Sequence, residues 1–373
     1  MSANESHSVA HVERDRIAFF DILHEGFQRA AANCAVVEQR VNIAGFIVRL
    51  CFAGDTLVSK IAPALQHLHC DQTLHEDLTI CLWDSASTEA GLPLLASSLV
   101  EYLRLRWWEQ LDIRREVKGY NDERIHTLFH LGPDILSVLD LQRNLGLYWV
   151  PDAAALPYYE QGYPLTALLS WWLDAHGRQL VHAASIGFDW GAALLPGKGG
   201  SGKSSTALAC LDSDLRILGD DYCVIARQPS PRVHSLYNTS KLKAAEDVAR
   251  FAQFEHMISN PERSGEEKAL IFLHEHASDR LLRESPLSVI LLPRITGRVD
   301  TTLHPASAAA ALRYLAPSTM FQLPGNAERA FREAVALTRQ LPVFELGLGT
   351  DIRQIPEVIA RALHSTRQVT RDD

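Results

Sequence analysis

The chain has 373 residues, 47% of them hydrophobic and 22% charged, a composition that fits a folded globular protein of two ordinary-sized domains better than one small core. A formal net charge of −9 provides no basic field for nucleic acid or an anionic membrane. No apolar run approaches the roughly 20 residues that span a bilayer, Met1 to Arg14 lacks a signal-peptide core, and the six cysteines show no C-x-x-C spacing, so a cytoplasmic protein with reduced, mostly buried thiols is expected.

Residues 1 to about 35 are polar and then helical in pattern. Val41 to Ala53 alternates as a strand, Ile61 to Leu68 reads as a short helix, and Leu78 to Trp83 returns as a strand before the polar loop Asp84 to Ala90. Ile125 to Leu131 and Asn144 to Val150 have the pattern of paired strands, which makes residues 1–150 a mixed α/β domain. Residues 151–175 read as a connection: Pro151 to Pro164 as a crossing linker with three prolines, then Leu165 to His176 as a helix whose Trp171 and Trp172 suit interdomain packing.

Residues 176–373 form the second expected domain. Its apolar strand Ala192 to Leu195 runs into Gly197-Lys198-Gly199-Gly200-Ser201-Gly202-Lys203-Ser204, a complete G-x-x-x-x-G-K-[ST] phosphate loop. Glycines at Gly197, Gly199, Gly200 and Gly202 let the backbone curl so that its N–H groups, with those of Ser201 and Ser205, face a β-phosphate. Lys203 reaches the β- and γ-phosphates, and the Ser204 hydroxyl suits Mg²⁺. Ser205 to Leu211 continues as a helix. ATP and Mg²⁺ are therefore the expected ligands.

Beyond the strand Leu215 to Gly219 lies the pair Asp220-Asp221. Two carboxylates at a strand end beside a phosphate loop can divide the work, one holding Mg²⁺ and the other accepting a hydroxyl proton. Upstream, His182 sits in the apolar stretch Leu180 to Ala184. Further along come Leu287 to Leu292 as a buried strand, helices Ala306 to Leu315 and Glu328 to Leu341, the strand Val343 to Leu348 and the helix Ile352 to His364. Helices on both faces of a sheet are the expected result. His274-Glu275-His276 lacks the helical H-E-x-x-H spacing of a zinc site. Tyr237 to Lys243 reads either as an acceptor- or phosphate-contacting loop or as a strand-to-helix turn with Ser240 as cap and solvated lysines.

The order His182, phosphate loop, Asp220-Asp221 resembles the HPr kinase/phosphorylase family, bacterial P-loop kinases related to phosphoenolpyruvate carboxykinase that phosphorylate a serine of a small carrier protein. The resemblance runs from His182 to about Ala226. It implies a P-loop kinase domain of that type, preceded by the smaller α/β domain, with one of Asp220 and Asp221 as catalytic base and His182 set against the pair. Leu292 to Arg298 resembles the family's Pro-Gly-Arg segment, which would bring Arg298 to the active site beside Arg294. The family's glutamate- and Arg-Gly-containing signature downstream is replaced by Val233 to Lys241. More divergent relatives that act in peptide modification look closer, and HPr itself is not the expected acceptor.

The expected function is ATP- and Mg²⁺-dependent transfer of the γ-phosphoryl group to a hydroxyl, on serine of a small protein or peptide or on a small metabolite. The rival is an ATP-occupied regulator or assembly factor without transfer. The amino-terminal domain is available for acceptor recognition, and the resembled family includes homo-oligomers.

Overall fold

The computed structural model describes residues 3–243, 245–264 and 267–372. Two compact units divide them: one holds the residues up to Ala62, His69–Pro157 and Leu165–Ala175, and the other Pro63–Leu68, Tyr158–Pro164 and the chain from His176 onward. Among the described residues no helix is long and apolar enough to cross a membrane.

In the first unit six strands are ordered β1-β2-β3-β6-β5-β4, with β1 Val36–Ile43, β2 Phe46–Ala53, β3 Leu78–Asp84, β4 Ile125–His130, β5 Ile135–Asp140 and β6 Leu145–Val150. The single strand expected over Val41 to Ala53 is instead a hairpin. Ala44 and Gly45 both take positive φ (52° and 92°), and the Gly45 N–H donates to Asn42 Oδ1 at 3.0 Å, so a two-residue turn reverses the chain inside what reads as one apolar run. Nor do the two strands expected to pair touch. The turn at Gly132-Pro133-Asp134 starts β5, which lies between β4 and β6 and pairs antiparallel with each. The polar stretch after β3 contains a short helix, Ser85–Thr88, because Asp84 accepts the Ser87 N–H at 2.8 Å and caps it.

The core of this unit joins Phe19, Phe20, Leu23 and Phe27 of the long helix Ala3–Asn33 to Trp83, Phe129 and Trp149 of the sheet. The helix Thr166–Ala175 belongs here too, and the second unit resumes directly after it at His176. Trp172 meets Phe46 edge-on at 5.0 Å and donates to Asn144 Oδ1. Trp171 stacks on His126 at 5.3 Å and donates to Glu116. Both indoles thus fill the first unit's own packing, since each ring finds apolar cover and a partner for its N–H there.

The second unit is built on a nine-stranded sheet. Its strands, with the separate pair β13/β14, are β7 Gln179–Val181, β8 Ala183–Phe188, β9 Gly191–Pro196, β10 Arg216–Gly219, β11 Cys223–Ala226, β12 Arg232–Ser235, β13 Thr239–Leu242, β14 Ala269–Phe272, β15 Glu284–Ile295, β16 Thr302–Pro305 and β17 Val343–Leu348. The main order is β10-β8-β9-β15-β12-β11-β7, with β17 and then β16 continuing from β15. β9 alternates between two apolar layers. Ala193 and Leu195 face Leu208 and Leu211, together with Ile355 and Ile359 of the last helix, Gln354–Asp372. Ala192 and Leu194 face Leu315 and Leu337 of the helices Ala308–Gln322 and Ala327–Gln340. Covered on both sides, this strand reads as an unbroken apolar run, and its end is a fixed platform for whatever follows.

Candidate active site

β9 pairs with β8 on one side and β15 on the other. Because β10 and β15 both run in the direction of β9, the chain segments that leave them emerge at the same edge of the sheet as the loop that follows Pro196. Three segments therefore converge: the glycine loop in the middle, His182 and Asp220-Asp221 toward β8 and β10, and Pro293 to Ile295 toward β15. This is the edge at which open α/β sheets place ligands.

The loop needs its glycines. Gly200 and Gly202 have φ of 81° and 98°, and a Cβ on Gly202 would lie 2.4 Å from Leu348 Cδ1. The helix Lys203–Ala209 begins directly after. Lys203 is buried, and its ammonium folds back to donate to Gly197 O at 2.6 Å and more weakly to Lys198 O at 3.4 Å. Burial pulls its pKa below the usual lysine range, while Asp221 and Asp220 oppose that shift.

The two aspartates are held differently. Asp220 is 1% exposed; its Oδ2 accepts from Ser240 Oγ at 2.8 Å and from the Lys241 N–H at 3.1 Å, both on β13. Its Oδ1 is buried and, among the described residues, has no hydrogen-bond partner. Burial and the neighbouring Asp221 charge push its pKa up to about 6, against the opposing help of Ser240, Ser204 and the Lys241 amide. Among the described residues no hydrogen bond of ordinary geometry joins Ser204 to Asp220, although the Ser204 hydroxyl is close enough to favour the charged carboxylate. Asp221 Oδ1 lies 2.6 Å from His182 Nε2. Burial would raise the Asp221 pKa, but His182, Lys203 and Lys241 together hold it well below the ordinary carboxylate range.

A set of rings encloses this pair. The His182 ring lies 5.3 Å from Tyr222, and Tyr222 5.1 Å edge-on from Tyr163. The Lys241 ammonium sits 3.6 Å from the Tyr163 ring centroid. Tyr163 comes from the stretch expected to be a crossing linker, whose residues up to Pro157 belong to the first unit and whose Tyr158–Pro164, with the helix Tyr158–Gly162, belongs to the second. Ser240 and Lys241 resolve the two readings of their segment: Ser240 does not cap a helix, and Lys241, 8% exposed, is not solvated, because both lie on a strand paired with β14. Separation along the chain hid Tyr163 from sequence reasoning; the only clue to Lys241 was its place where the family signature is missing.

Toward β15, a pocket of about 480 Å³ opens against the loop, lined by Lys198, Ser201, Pro293, Ile295, Arg313 and Tyr314 among others. Arg294 also lines it and pairs with Glu345 at 3.2 Å. Arg298 lies exposed in the loop after β15, where its backbone carbonyl receives the Thr350 N–H at 2.8 Å, and among the described residues its side chain enters none of the hydrogen bonds around the aspartates. The sheet direction accounts for this: β15 leads its chain to the side of the glycine loop opposite β10. His274 to His276 lie on the short helix Leu273–Ala277, not on a strand.

No family model and no curated protein matches the chain. Among solved structures, the HPr(Ser) kinase/phosphatase from Coxiella burnetii matches at 10% sequence identity and a TM-score of 0.28, over 52% of this chain and 99% of that one. A likeness this loose assigns no residue a role.

Proposed function

We propose that the protein is an ATP-dependent phosphotransferase that moves the γ-phosphoryl group to a hydroxyl on a protein or peptide. The observation that carries this reading is the convergence of Lys203, Ser204, Asp220 and Asp221 at one sheet edge, with the two carboxylates in opposite electrostatic settings. A nucleotide-occupied switch needs one metal-directing carboxylate and has no use for a second, separately oriented one.

The glycine loop and Lys203 bind the triphosphate, and the apolar pocket beside Lys198 and Ser201 takes the nucleoside, with Tyr314 as a ring for the base. That arrangement directs the γ-phosphoryl group toward β10 and the acidic pair. Ser204 and Asp220 are the residues that would hold Mg²⁺: the buried, unpartnered Asp220 Oδ1 suits a cation, as does its closeness to the Ser204 hydroxyl. When bound, Mg²⁺ neutralises charge on the phosphate oxygens. Asp221, fixed by His182, aligns the acceptor hydroxyl. The acceptor oxygen bonds to the γ-phosphorus as the bond to the β,γ-bridging oxygen breaks; ADP leaves, and the hydroxyl proton passes to Asp221. In a loose transition state alignment matters more than basicity, which suits a carboxylate held ionised by its neighbours.

A protein or peptide acceptor is favoured by the first unit. Its helix Leu94–Gln110 leaves Leu94, Leu105, Trp107 and Trp108 exposed, more apolar surface than solvent contact alone calls for. Incubation with γ-labelled ATP and a lysate of the producing cells tests the proposal. Label should appear on a discrete polypeptide with the wild-type protein and not with Asp221→Asn; the absence of any labelled acceptor would count against transfer.

A further inference from the structure

Lys241 is a buried cation beside the acidic pair. Its side chain extends from β13, a strand held to the site because Ser240 Oγ and the Lys241 N–H both donate to Asp220 Oδ2. The ammonium is 3.6 Å from the centre of the Tyr163 ring, and among the described residues it forms no ion pair or hydrogen bond of its own. A ring face offsets only part of the cost of taking an ammonium out of water. Its charged neighbours are Asp221, Lys268, Asp220 and Glu160, so it looks onto the same acidic pair as Lys203 does. Two buried lysines, with exposed Lys268 acting on both, thus share the space beside two carboxylates.

We infer that Lys241 is a second phosphate-binding cation, dedicated to the γ-phosphoryl group, while Lys203 serves the triphosphate as a whole. The inference rests on the nucleotide reading above. One observation and two consequences of the nucleotide reading support the γ-assignment. Lys241 is anchored through Asp220, on the β10 side of the glycine loop; the nucleoside pocket lies on the β15 side; and the transferred group must come within reach of Asp221. A γ-phosphate oxygen there would give the ammonium a direct anionic contact, and Tyr163 would hold it in place meanwhile.

The test is the affinity for Mg·ATP against that for Mg·ADP, by calorimetry, for the wild type, Lys241→Met, Lys241→Arg and Lys203→Met. A charge-assisted contact to the γ-phosphate alone is worth about 10- to 100-fold in affinity. Lys241→Met should lose that factor for ATP and keep ADP affinity, Lys241→Arg should retain part of the preference, and Lys203→Met should weaken both nucleotides. On the wild-type protein, independent of how any variant folds, Mg·ATP but not Mg·ADP should shield Lys241 from amine acylation read by mass spectrometry. Unchanged ATP affinity in Lys241→Met, equal loss of ATP and ADP, or equal shielding by both nucleotides would overturn the inference while leaving nucleotide binding intact. Failure of the wild type to bind either nucleotide would instead overturn the phosphotransferase reading on which it rests.

Discussion

Asp220 and Asp221 adjoin in the chain yet are driven in opposite directions: Asp220, clamped by Ser240 and buried with one bare oxygen, is pushed up to about 6, whereas Asp221, 2.6 Å from His182, is held well below the carboxylate range. Neighbouring carboxylates cannot both ionise cheaply in a buried place unless their surroundings separate them. Here the separation comes from two different strands: β13 supplies neutral donors to one, and the residue preceding β8 supplies an imidazole to the other.

The first consequence concerns stability. A carboxyl whose folded pKa is raised from 3.8 to about 6 favours the folded state below pH 4, and that contribution is lost as pH rises through 6. The shift corresponds to roughly 3 kcal/mol. Asp220→Asn keeps an oxygen for Ser240 and the Lys241 amide and removes the buried charge. It should therefore raise the melting temperature by several degrees at pH 8 and leave it unchanged near pH 4, as differential scanning calorimetry across that range would show.

Asp221→Asn should do the reverse. A depressed folded pKa stabilises above the ordinary carboxylate value and ceases to do so as pH falls through the folded pKa, so the wild type gains from Asp221 at neutral pH. The variant should melt lower than wild type at pH 7 to 8, and the gap should narrow toward acid. Opposite signs for two adjacent Asp→Asn changes would be hard to obtain from any account that treats the pair as one unit.

For chemistry, Asp221→Asn should reduce phosphoryl transfer by roughly 10²- to 10⁴-fold, the usual cost of losing a general base. Mg·ATP affinity should change little, because the proposed metal ligands Ser204 and Asp220 are intact. Asp220→Asn should weaken Mg·ATP binding itself. Single-turnover assays with γ-labelled ATP, paired with binding titrations, separate the two effects.

Tyr314→Ala should weaken ATP and ADP equally, by about tenfold if the base stacks on the ring. Fluorescent-nucleotide displacement reads both affinities, and a loss confined to ATP would move the nucleoside out of this pocket.

A cut at residue 150 would not isolate the second unit. Pro63–Leu68 belongs to it: the Asn238 amide donates to Pro63 O at 2.7 Å and to Ala64 O at 3.0 Å, and its Oδ1 accepts the His274 N–H at 3.2 Å. Asn238→Ala should therefore cost roughly 2–3 kcal/mol of stability, measured by urea unfolding, without touching the aspartates.

How legible this was in the sequence depended on chain distance. The glycine loop with Lys203 and Ser204 is one contiguous motif, and its strand is apolar on both faces, so both could be read directly. His182 and the aspartates could be placed near it by their order along the chain, because β8, β9 and β10 follow one another closely. Tyr163 could not, since only the folded path of the chain brings it to Tyr222 and Lys241. The turn at Ala44-Gly45 is hard to see because its marks, Asn42 and Gly45, lie inside one apolar run, and β5 because the strands on either side of it look equally ready to pair. Arg298 is expected near the active site by resemblance of its segment alone, and the direction of β15 takes it to the side of the glycine loop away from the acidic pair.

Calorimetric titration of Mg·ATP into the wild-type protein and Lys203→Met addresses the central claim most directly. The account requires saturable binding to one site per wild-type chain and its loss, by two orders of magnitude or more on the order of magnitude of paired buried charges, in Lys203→Met. Absence of binding to the wild type at millimolar Mg·ATP, or equal binding by the two proteins, would contradict it.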